Sequence, residues 1–369
     1  MFLLARKNLF QEKLKFVISI AGVSFSIMLM VTLLGIYFGM SDQFVRYVQK
    51  TPADLVVTQE GVKDMFIGTS IIQDNIQEKI KNIKGVEEVA GIIQIKASFE
   101  KHGVRSVLTL TTYEDDSQIG KPWDLVSGTL KITDNQIILG EDFLKKNNLK
   151  LNDTIQIYDT DFTIAGTIER SSFINAYYGF ITKSKGKELI KVPNITNYLF
   201  ISISDKSDVD VAMAEIEKLS SNINVIKKSE FINLNLNVLE ETFLPIVMAI
   251  VVIGFLVGTA IIGLTIYTAT LDKQTEFGVL KAIGMNNFKF YKLLLQQSLM
   301  FSAFGIFFGI LCSFIVREIL KISIPFLEVK IDANILIFII ATSLFMSALS
   351  VLIPAKRIAN IDPAVVFKS

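Results

Sequence analysis

The sequence predicts an α-helical membrane protein with four transmembrane helices and a large two-lobed α+β extracytoplasmic domain inserted between the first and second helices. Three observations predict it. The chain is 51% hydrophobic, with 28 Phe against one Trp and one His. Four apolar runs, at 16–38, 243–271, 293–316 and 333–354, meet or approach the roughly 20 residues needed to cross a ~30 Å hydrocarbon core. Between the first two runs lie about 200 residues of globular pattern, far too many for a simple connector.

The elements follow in order. Residues 1–15 set Phe2, Leu3, Leu9, Phe10 and Leu14 among basic side chains, the composition of an amphipathic helix lying on the cytoplasmic leaflet. The first span, 16–40, has an apolar core far longer than that of a secretory signal and no small-residue cleavage site after it, so it is retained. Domain 41–242 opens with a strand at 53–58. A helix at 70–83 follows, with Ile71, Ile72, Ile76, Ile80 and Ile83 on one face, and then a strand at 86–99. The order recurs at 198–202, 208–219 and 222–227. Two strand–helix–strand units separated by a β-rich insert suggest a split α+β layer carrying a second lobe. The insert holds strands at 136–139, 154–158 and 162–168, a helix at 141–147, and turn signals at Asn152-Asp153 and Thr160-Asp161. Span 2 is 243–271, span 3 is 291–316 after a polar segment at 272–290, and span 4 is 333–354 after a short outer loop at 317–332. A tail at 355–369 closes the chain.

Lysine and arginine near the span ends orient the chain. Arg6, Lys7, Lys13 and Lys15 precede span 1. Lys273, Lys281, Lys289 and Lys292 lie between spans 2 and 3, and Lys356, Arg357 and Lys368 follow span 4. The opposite face has Arg46, Lys50, Arg317, Lys321 and Lys330. Both termini and the central loop are therefore expected in the cytoplasm, with the protein multi-pass in the cytoplasmic membrane.

Several chemistries are excluded. No G-x-x-x-x-G-K-[ST] phosphate loop is present, and the nearest approach, Gly179 with Gly186-Lys187-Glu188, has the wrong spacing and no hydroxyl after the lysine. With His102 in a turn-like Glu100-Lys101-His102-Gly103 and Cys312 inside span 3, zinc sites and cysteine–histidine catalysis have no ligands to use. No catalytic residue, metal site or cofactor of its own is expected. The net charge of +1 and the lack of a basic block give no footprint for nucleic acid.

Three spans carry Gly-xxx-Gly, at Gly35/Gly39, Gly254/Gly258 and Gly305/Gly309, a spacing that lets helix backbones approach closely. Packing within the subunit and a dimer seam both remain open. Glu240 and Glu241 sit where the domain enters span 2, near Met28, Met30, Met40 and Met248. Carboxylates at such a mouth can take a cation, an amphiphile headgroup or a haem iron. The plainer reading is that they mark the interface and reach for water.

The segment at 271–287, LDKQTEFGVLKAIGMNN, is the most informative stretch. Charged residues at mid-membrane cost roughly 2.5–3.5 kcal/mol each, so it must lie at the membrane face. Phe277, Leu280 and Ile283, with Val279 beside them, recur at helical spacing, while Lys273, Glu276 and Lys281 stay polar. That pattern fits a short surface helix able to dock on a soluble partner.

This segment also carries a resemblance. EFGVLKAIG, from Glu276 to Gly284, is similar to the E-Φ-(G/A)-Φ-L-K-A-Φ-G signature of FtsX/MacB-type ABC transporter permeases, Φ being apolar. Pro354-Ala355-Lys356-Arg357 followed by Ile361-Asp362-Pro363-Ala364 resembles the family's P-A-x-(R/K) … D-P-A tail. The start of the chain is similar to the DevC and HrtB branches, and the four-span order differs from the ten-span bacitracin-type branch. The resemblance implies a permease paired with a second copy, and an ABC ATPase subunit on the cytoplasmic side that binds ATP and Mg. The chain starts at its basic helix where MacB carries a fused ATPase, so the ATPase is expected on another polypeptide. An extracytoplasmic adaptor is left open. The family's coupling helix would map to about 273–286, with Glu276, Phe277, Gly278, Leu280, Lys281 and Gly284 as signature positions. The inserted lobe would cover about 111–193, where Gly128, Gly140 and Asp153 match a recurring run. The function implied is ATP-driven export of an amphiphilic or peptide-like substrate by mechanotransmission. An FtsX-like subunit signalling to an extracytoplasmic hydrolase, and lipoprotein or haem extraction, are the alternatives.

Overall fold

The computed structural model describes residues 13–359 apart from 102, 174–175, 193 and 325. The interfacial helix expected at 1–15 therefore lies largely outside the described residues, as do His102 and the Asp362-Pro363-Ala364 motif. The described chain divides into two compact units. A helical unit takes residues up to Phe38, then Phe243–Ile322 and the residues from Val329 onward. An α+β unit takes Gly39–Thr242 and Ser323–Glu328.

Among the described residues, four helices are long and apolar enough to cross a membrane. They are α1 (Lys13–Lys50), α6 (Lys228–Asp272), α8 (Asn287–Ser323), and α9 (Ala333–Ser350), which continues after a turn at Val351 into α10 (Leu352–Ala359). Three of these helices outrun the hydrophobic stretches that predicted them. Span 2 was expected to start at 243, but α6 leaves the last strand of the α+β unit and runs unbroken for 45 residues, with Pro245 inside it. Its polar first turns are held by that unit, where Phe231, Asn235 and Leu239 are buried. Hydropathy marks where a helix meets lipid, not where it begins.

Close backbone approaches organise the helical unit. A Cβ on Gly305 would lie 2.4 Å from Val23, and one on Gly309 would lie 2.8 Å from Ile27 and 2.9 Å from the Ser24 carbonyl. These contacts seat α8 on α1. Gly22 meets Ile261, and Ser19 and Thr265 share a 2.6 Å hydrogen bond, which seats α6 on α1. Between α8 and α9 runs a ladder of buried serines. Ser298 donates to the Ser347 carbonyl at 2.8 Å, Ser302 to the Ser343 carbonyl at 3.1 Å, and Ser347 to the Ser302 hydroxyl at 2.5 Å. Where lipid is as apolar as a leucine core, small residues and such bonds hold helices together.

Besides a two-stranded ladder of β2 (Ile72–Gln73) with β12 (Ile195–Thr196), the α+β unit contains two larger sheets. The smaller is built from β1 (Leu55–Gln59), β3 (Val86–Ile92), β13 (Tyr198–Ile203) and β14 (Ile223–Lys227), in the order β14-β1-β13-β3, every pair antiparallel. With α2 (Asp74–Lys81) between β1 and β3, and α5 (Val209–Glu217) between β13 and β14, this is a pair of interlocked split βαβ units of ferredoxin-like order. Leu55, Val57, Ile76, Ile80, Leu199, Ile201 and Ile216 form the core on the helix side. Period-two alternation sends Val56, Ala90, Phe200 and Ile226 to the other face.

The second lobe enters between β3 and β13. The sequence placed a single strand at 86–99 and the lobe's start near 111. The structure instead breaks the strand at Ile93 and begins the lobe's sheet at β4 (Gln94–Lys101), which forms an eight-pair hairpin with β5 (Val104–Tyr113). Ile93 and Thr112 exchange hydrogen bonds at the crossover, the Ile93 amide to the threonine hydroxyl and the Thr112 amide to the Ile93 carbonyl. Local pattern is continuous across residue 93 and only the pairing partner changes. The sheet continues through β11 (Ala176–Thr182), β7 (Gln136–Gly140) and β9 (Thr160–Ile168) to β6 (Leu125–Gly128). Its far face packs Phe143 of α3 (Glu141–Asn147) with Leu110, Leu139, Phe162 and Tyr177. Between the two sheets lies an aromatic layer of Tyr47, Trp123, Tyr178, Phe180 and Phe200. Burial, and to a lesser extent the neighbouring Tyr198, raise the Tyr178 hydroxyl well above its ordinary pKa. The glycines of the recurring run have steric reasons. A Cβ on Gly128, at φ +82°, would lie 2.2 Å from the Ala165 carbonyl, and one on Gly140 would strike Asp142 and Ser171. Asp153 closes its own turn by accepting from the Lys150 amide at 2.8 Å.

Candidate functional site

The signature segment forms α7, Gln274–Ala282. Its C-terminus explains much of the signature. The Gly284 amide donates to the Lys281 carbonyl at 3.1 Å and the Met285 amide to the Leu280 carbonyl at 3.0 Å, with Gly284 at φ +99°. This is the paired 5→2 and 6→1 bonding of a Schellman cap, in which glycine takes the left-handed position. Leu280 and Met285, the two positions that pack together in such caps, both lie against the helical unit's core. Glycine four residues beyond leucine is thus a stop signal for the helix.

The apolar side of α7 turns inward. Phe277 is 3% exposed, and its ring meets Phe290 edge-on at 5.7 Å between centroids. Gly278 is also buried, and Leu280 is half-buried. Lys281 donates through Nζ to the Ala359 carbonyl at 2.6 Å, tying α7 to the end of α10. Of the expected coupling positions, Phe277, Gly278 and Leu280 therefore pack toward the bundle. They anchor α7 to its own bundle. The face left open includes Thr275, Glu276, Val279 and Ile283, the last 77% exposed, with Phe288 beyond the cap 72% exposed. Periodicity shows that a helix has an apolar stripe, but Val279 and Ile283 extend it further round than one buried face requires.

The glycine pairs find partners in the same chain. Gly254 lies against Met30 and the Ser26 carbonyl, and Gly258 against Met346 and Ser26. Gly35 meets Val329 and the Lys330 carbonyl, and its own carbonyl accepts from the Lys330 amide at 2.9 Å. In the α+β unit, a Cβ on Gly39 would lie 2.0 Å from the Glu328 carbonyl oxygen. Each pair is filled by intrachain packing, so the dimer-seam reading of Gly35, Gly39, Gly254 and Gly258 has no free glycine face to use.

The mouth residues differ in exposure. Glu240 and Glu241 are exposed and adjacent on α6, hence about 100° apart around its axis. Met248 is exposed, Met28 and Met40 are half-buried, and Met30 is fully buried against Gly254. Among the described residues no group of three or more His, Cys, Asp or Glu is placed to hold a metal ion.

Sequence reasoning missed the role of Ser323–Glu328, which belongs to the α+β unit. Glu328 pairs with Arg46 and Arg170, each at 2.7 Å, and Gln43 donates to the Phe326 carbonyl at 3.0 Å. Lys146 lies over the rings of Tyr177 and Phe326. In sequence this segment is a short loop between two spans, and nothing local reveals partners so distant along the chain.

Known proteins match the chain along nearly its whole length. The family profile of the MacB-like periplasmic core domain matches residues 16–219, and that of the FtsX-like permease C-terminal region matches 248–363. An uncharacterized ABC transporter permease of Methanocaldococcus jannaschii is 21% identical over 97% of this chain and 95% of its own length. The permease HrtB of Staphylococcus epidermidis, named for a hemin transport system, is 22% identical over 98% of this chain and 97% of its own. The crystal structure of the periplasmic region of MacB from Actinobacillus actinomycetemcomitans aligns over 50% of this chain and 94% of that one, at 11% identity and a TM-score of 0.39.

Proposed function

The chain belongs to the MacB/FtsX family of ABC transporter permeases, and we propose that it is the membrane subunit of an ATP-driven exporter of amphiphilic or peptide-like molecules. The single observation that carries the reading is the division of labour on α7. Phe277, Leu280 and the Schellman cap fix the helix to the bundle, while Glu276, Val279 and Ile283 stay open to a soluble partner. A lever needs both features, since a helix free of its bundle transmits nothing.

In this reading an ATPase subunit, holding ATP and Mg, seats the open face of α7 in a groove. The basic flanks Lys273, Lys289 and Lys292, with Lys13, Lys15, Lys356 and Arg357, support an orientation with α7 and both termini in the cytoplasm and the α+β unit outside it. A second permease copy completes the assembly, contacting surfaces other than the filled glycine seams. The stroke requires the ATPase to bind one membrane state better than another, because equal affinity shifts no population. The spans carry almost no charge, so cargo is taken up at the outer leaflet or outside rather than through a hydrated path. Hemin is the first amphiphile to test, since HrtB is named for it, with Glu240 and Glu241 as its candidate carboxylates on α6.

The decisive experiment is capture of the ATPase by the full-length permease. Val279→Asp/Ile283→Asp should abolish co-purification while the permease elutes as a single species. Undiminished capture by that variant would remove α7 as the docking element.

A further inference from the structure

We propose that the α10 end of the helical unit carries a binding site for one anionic phospholipid, built from Tyr267, Leu352, Ile353, Lys356 and Arg357. These residues line an open groove of about 430 Å³ between α6 and α10. The inference is separate from the export reading and requires only that the four long helices span a bilayer.

Depth is the first argument. Helix α9 starts at Asp332, whose side chain caps it by accepting from the Ile335 amide at 3.0 Å, and ends at Ser350. A helix from Ala333 to Ser350 is just long enough to cross a hydrocarbon core from one edge to the other. The turn at Val351 therefore falls where acyl chains give way to phosphates, and α10 begins at that level. Tyrosine is enriched at this depth, where its ring lies among chain ends and its hydroxyl among headgroups.

The order of side chains along α10 is the second argument. Leu352 and Lys356 are four residues apart, as are Ile353 and Arg357, so each pair shares a face with the cation one turn beyond the apolar residue. Leu352 is 53% exposed and Ile353 is 75% exposed, too much for a core residue and suitable for an acyl chain. Lys356 and Arg357 are both exposed, while Pro354 and Ile358 fill the buried side of the same helix. A lipid lying along this face meets two apolar side chains and then two cations, in the order of its own chain and phosphate.

Charge is the third argument. Among the described residues the groove lining has two cations and no carboxylate. The nearest acid along α6, Asp272, is paired with Lys15 at 3.0 Å. The end of α10 is held in place by Lys281 on the Ala359 carbonyl, so the two cations are presented on a fixed helix rather than a free tail. A phosphodiester with net negative charge fits this set, and a zwitterionic headgroup brings its own cation against Lys356 and Arg357.

The test uses the full chain purified in detergent and given equal amounts of dioleoyl-phosphatidylglycerol and dioleoyl-phosphatidylcholine, with retained lipid read by native mass spectrometry. Each basic residue near an anionic surface is worth about fivefold, so the wild type should favour phosphatidylglycerol by roughly twenty- to thirtyfold. Lys356→Gln/Arg357→Gln should bring the two lipids near parity. Leu352→Ser/Ile353→Ser should weaken retention of phosphatidylglycerol through the acyl contacts. Lys289→Gln/Lys292→Gln removes the same charge on α8, outside the groove, and should leave the preference intact. A preference surviving Lys356→Gln/Arg357→Gln, or lost equally in Lys289→Gln/Lys292→Gln, overturns the site. Displacement of the lipid by equimolar glycerophosphoglycerol, which has no acyl chains, would show a free phosphate-ester site and overturn the lipid assignment.

Discussion

Two alanine substitutions should rank opposite to the distances that describe them. A Cβ on Gly258 would lie 2.1 Å from Met346 Cε, the shorter approach, while one on Gly309 would lie 2.8 Å from Ile27 Cβ and 2.9 Å from the Ser24 carbonyl oxygen. Met346 Cε ends a side chain with three rotatable bonds, so a rotamer change clears it at about 0.5–1.5 kcal/mol. The next atom from Gly258, Ser26 Cβ at 3.4 Å, is in ordinary contact. Neither neighbour of Gly309 can rotate away, one being backbone and the other the branch point of a helical isoleucine. Relief there requires α1 and α8 to separate by about half an ångström, and overpacking of this kind costs about 1–3 kcal/mol. The same movement lengthens the Ser313 contact to the Met28 carbonyl, already 3.4 Å. Both substitutions gain about 1 kcal/mol of helix propensity over glycine. Gly258→Ala should then be near neutral, and Gly309→Ala should lose up to about 2 kcal/mol. Thermal unfolding of the purified protein, followed by tryptophan and tyrosine fluorescence, should put Gly309→Ala roughly 1–3 °C below Gly258→Ala. A Gly258→Ala midpoint equal to or below that of Gly309→Ala would refute the reasoning.

Gly284→Ala forces a Cβ into the left-handed region and should destabilise the α7 cap by about 1–2 kcal/mol; amide hydrogen exchange should quicken across α7 and not across α8, and uniform protection would count against the cap. Phe277→Ala should destabilise the fold by roughly 3–5 kcal/mol, as deletion of a buried aromatic does, whereas Val279→Ala should not; equal melting behaviour of the two would contradict the inward assignment of Phe277. Glu328→Gln weakens its ion pairs with Arg46 and Arg170, so limited proteolysis should cut near residues 323–328 faster than in the wild type. Hydrogen bonds from Ser184 and then Thr182 hold the Asp134 carboxyl below its ordinary pKa. The folded value is depressed, so the stabilisation is present above the unfolded value, roughly pH 4, and disappears as pH falls through the folded one. The stability gap between wild type and Asp134→Asn should therefore close on acidification below about pH 4, and a gap independent of pH would exclude that linkage.

Hydropathy and periodicity are local quantities, and what depended on them was legible in the sequence. The four spans follow from run length, the position of the α+β domain from the long globular interval, and the short helix at α7 from charge and spacing within a short segment. The direction in which each face points was not legible. In a membrane protein the lipid is as apolar as the core, so a stripe such as Phe277, Leu280 and Ile283 is compatible with burial, with lipid and with a partner. Only the ring contact of Phe277 with Phe290 and the cap at Gly284 show which residues anchor α7 and which stay open. The glycine pairs behave in the same way. Their spacing announces close packing, but Met346 behind Gly258 and Ser24 behind Gly309 come from distant parts of the chain. The strand at residue 93 changes sheets without any change in its own pattern, because the partners on either side of it, β13 and β5, lie elsewhere along the chain. Sequence by itself determined the four spans, the place of the α+β domain between the first two, and the short helix at α7. Tertiary structure decided what each face meets, because that choice depends on residues far away along the chain.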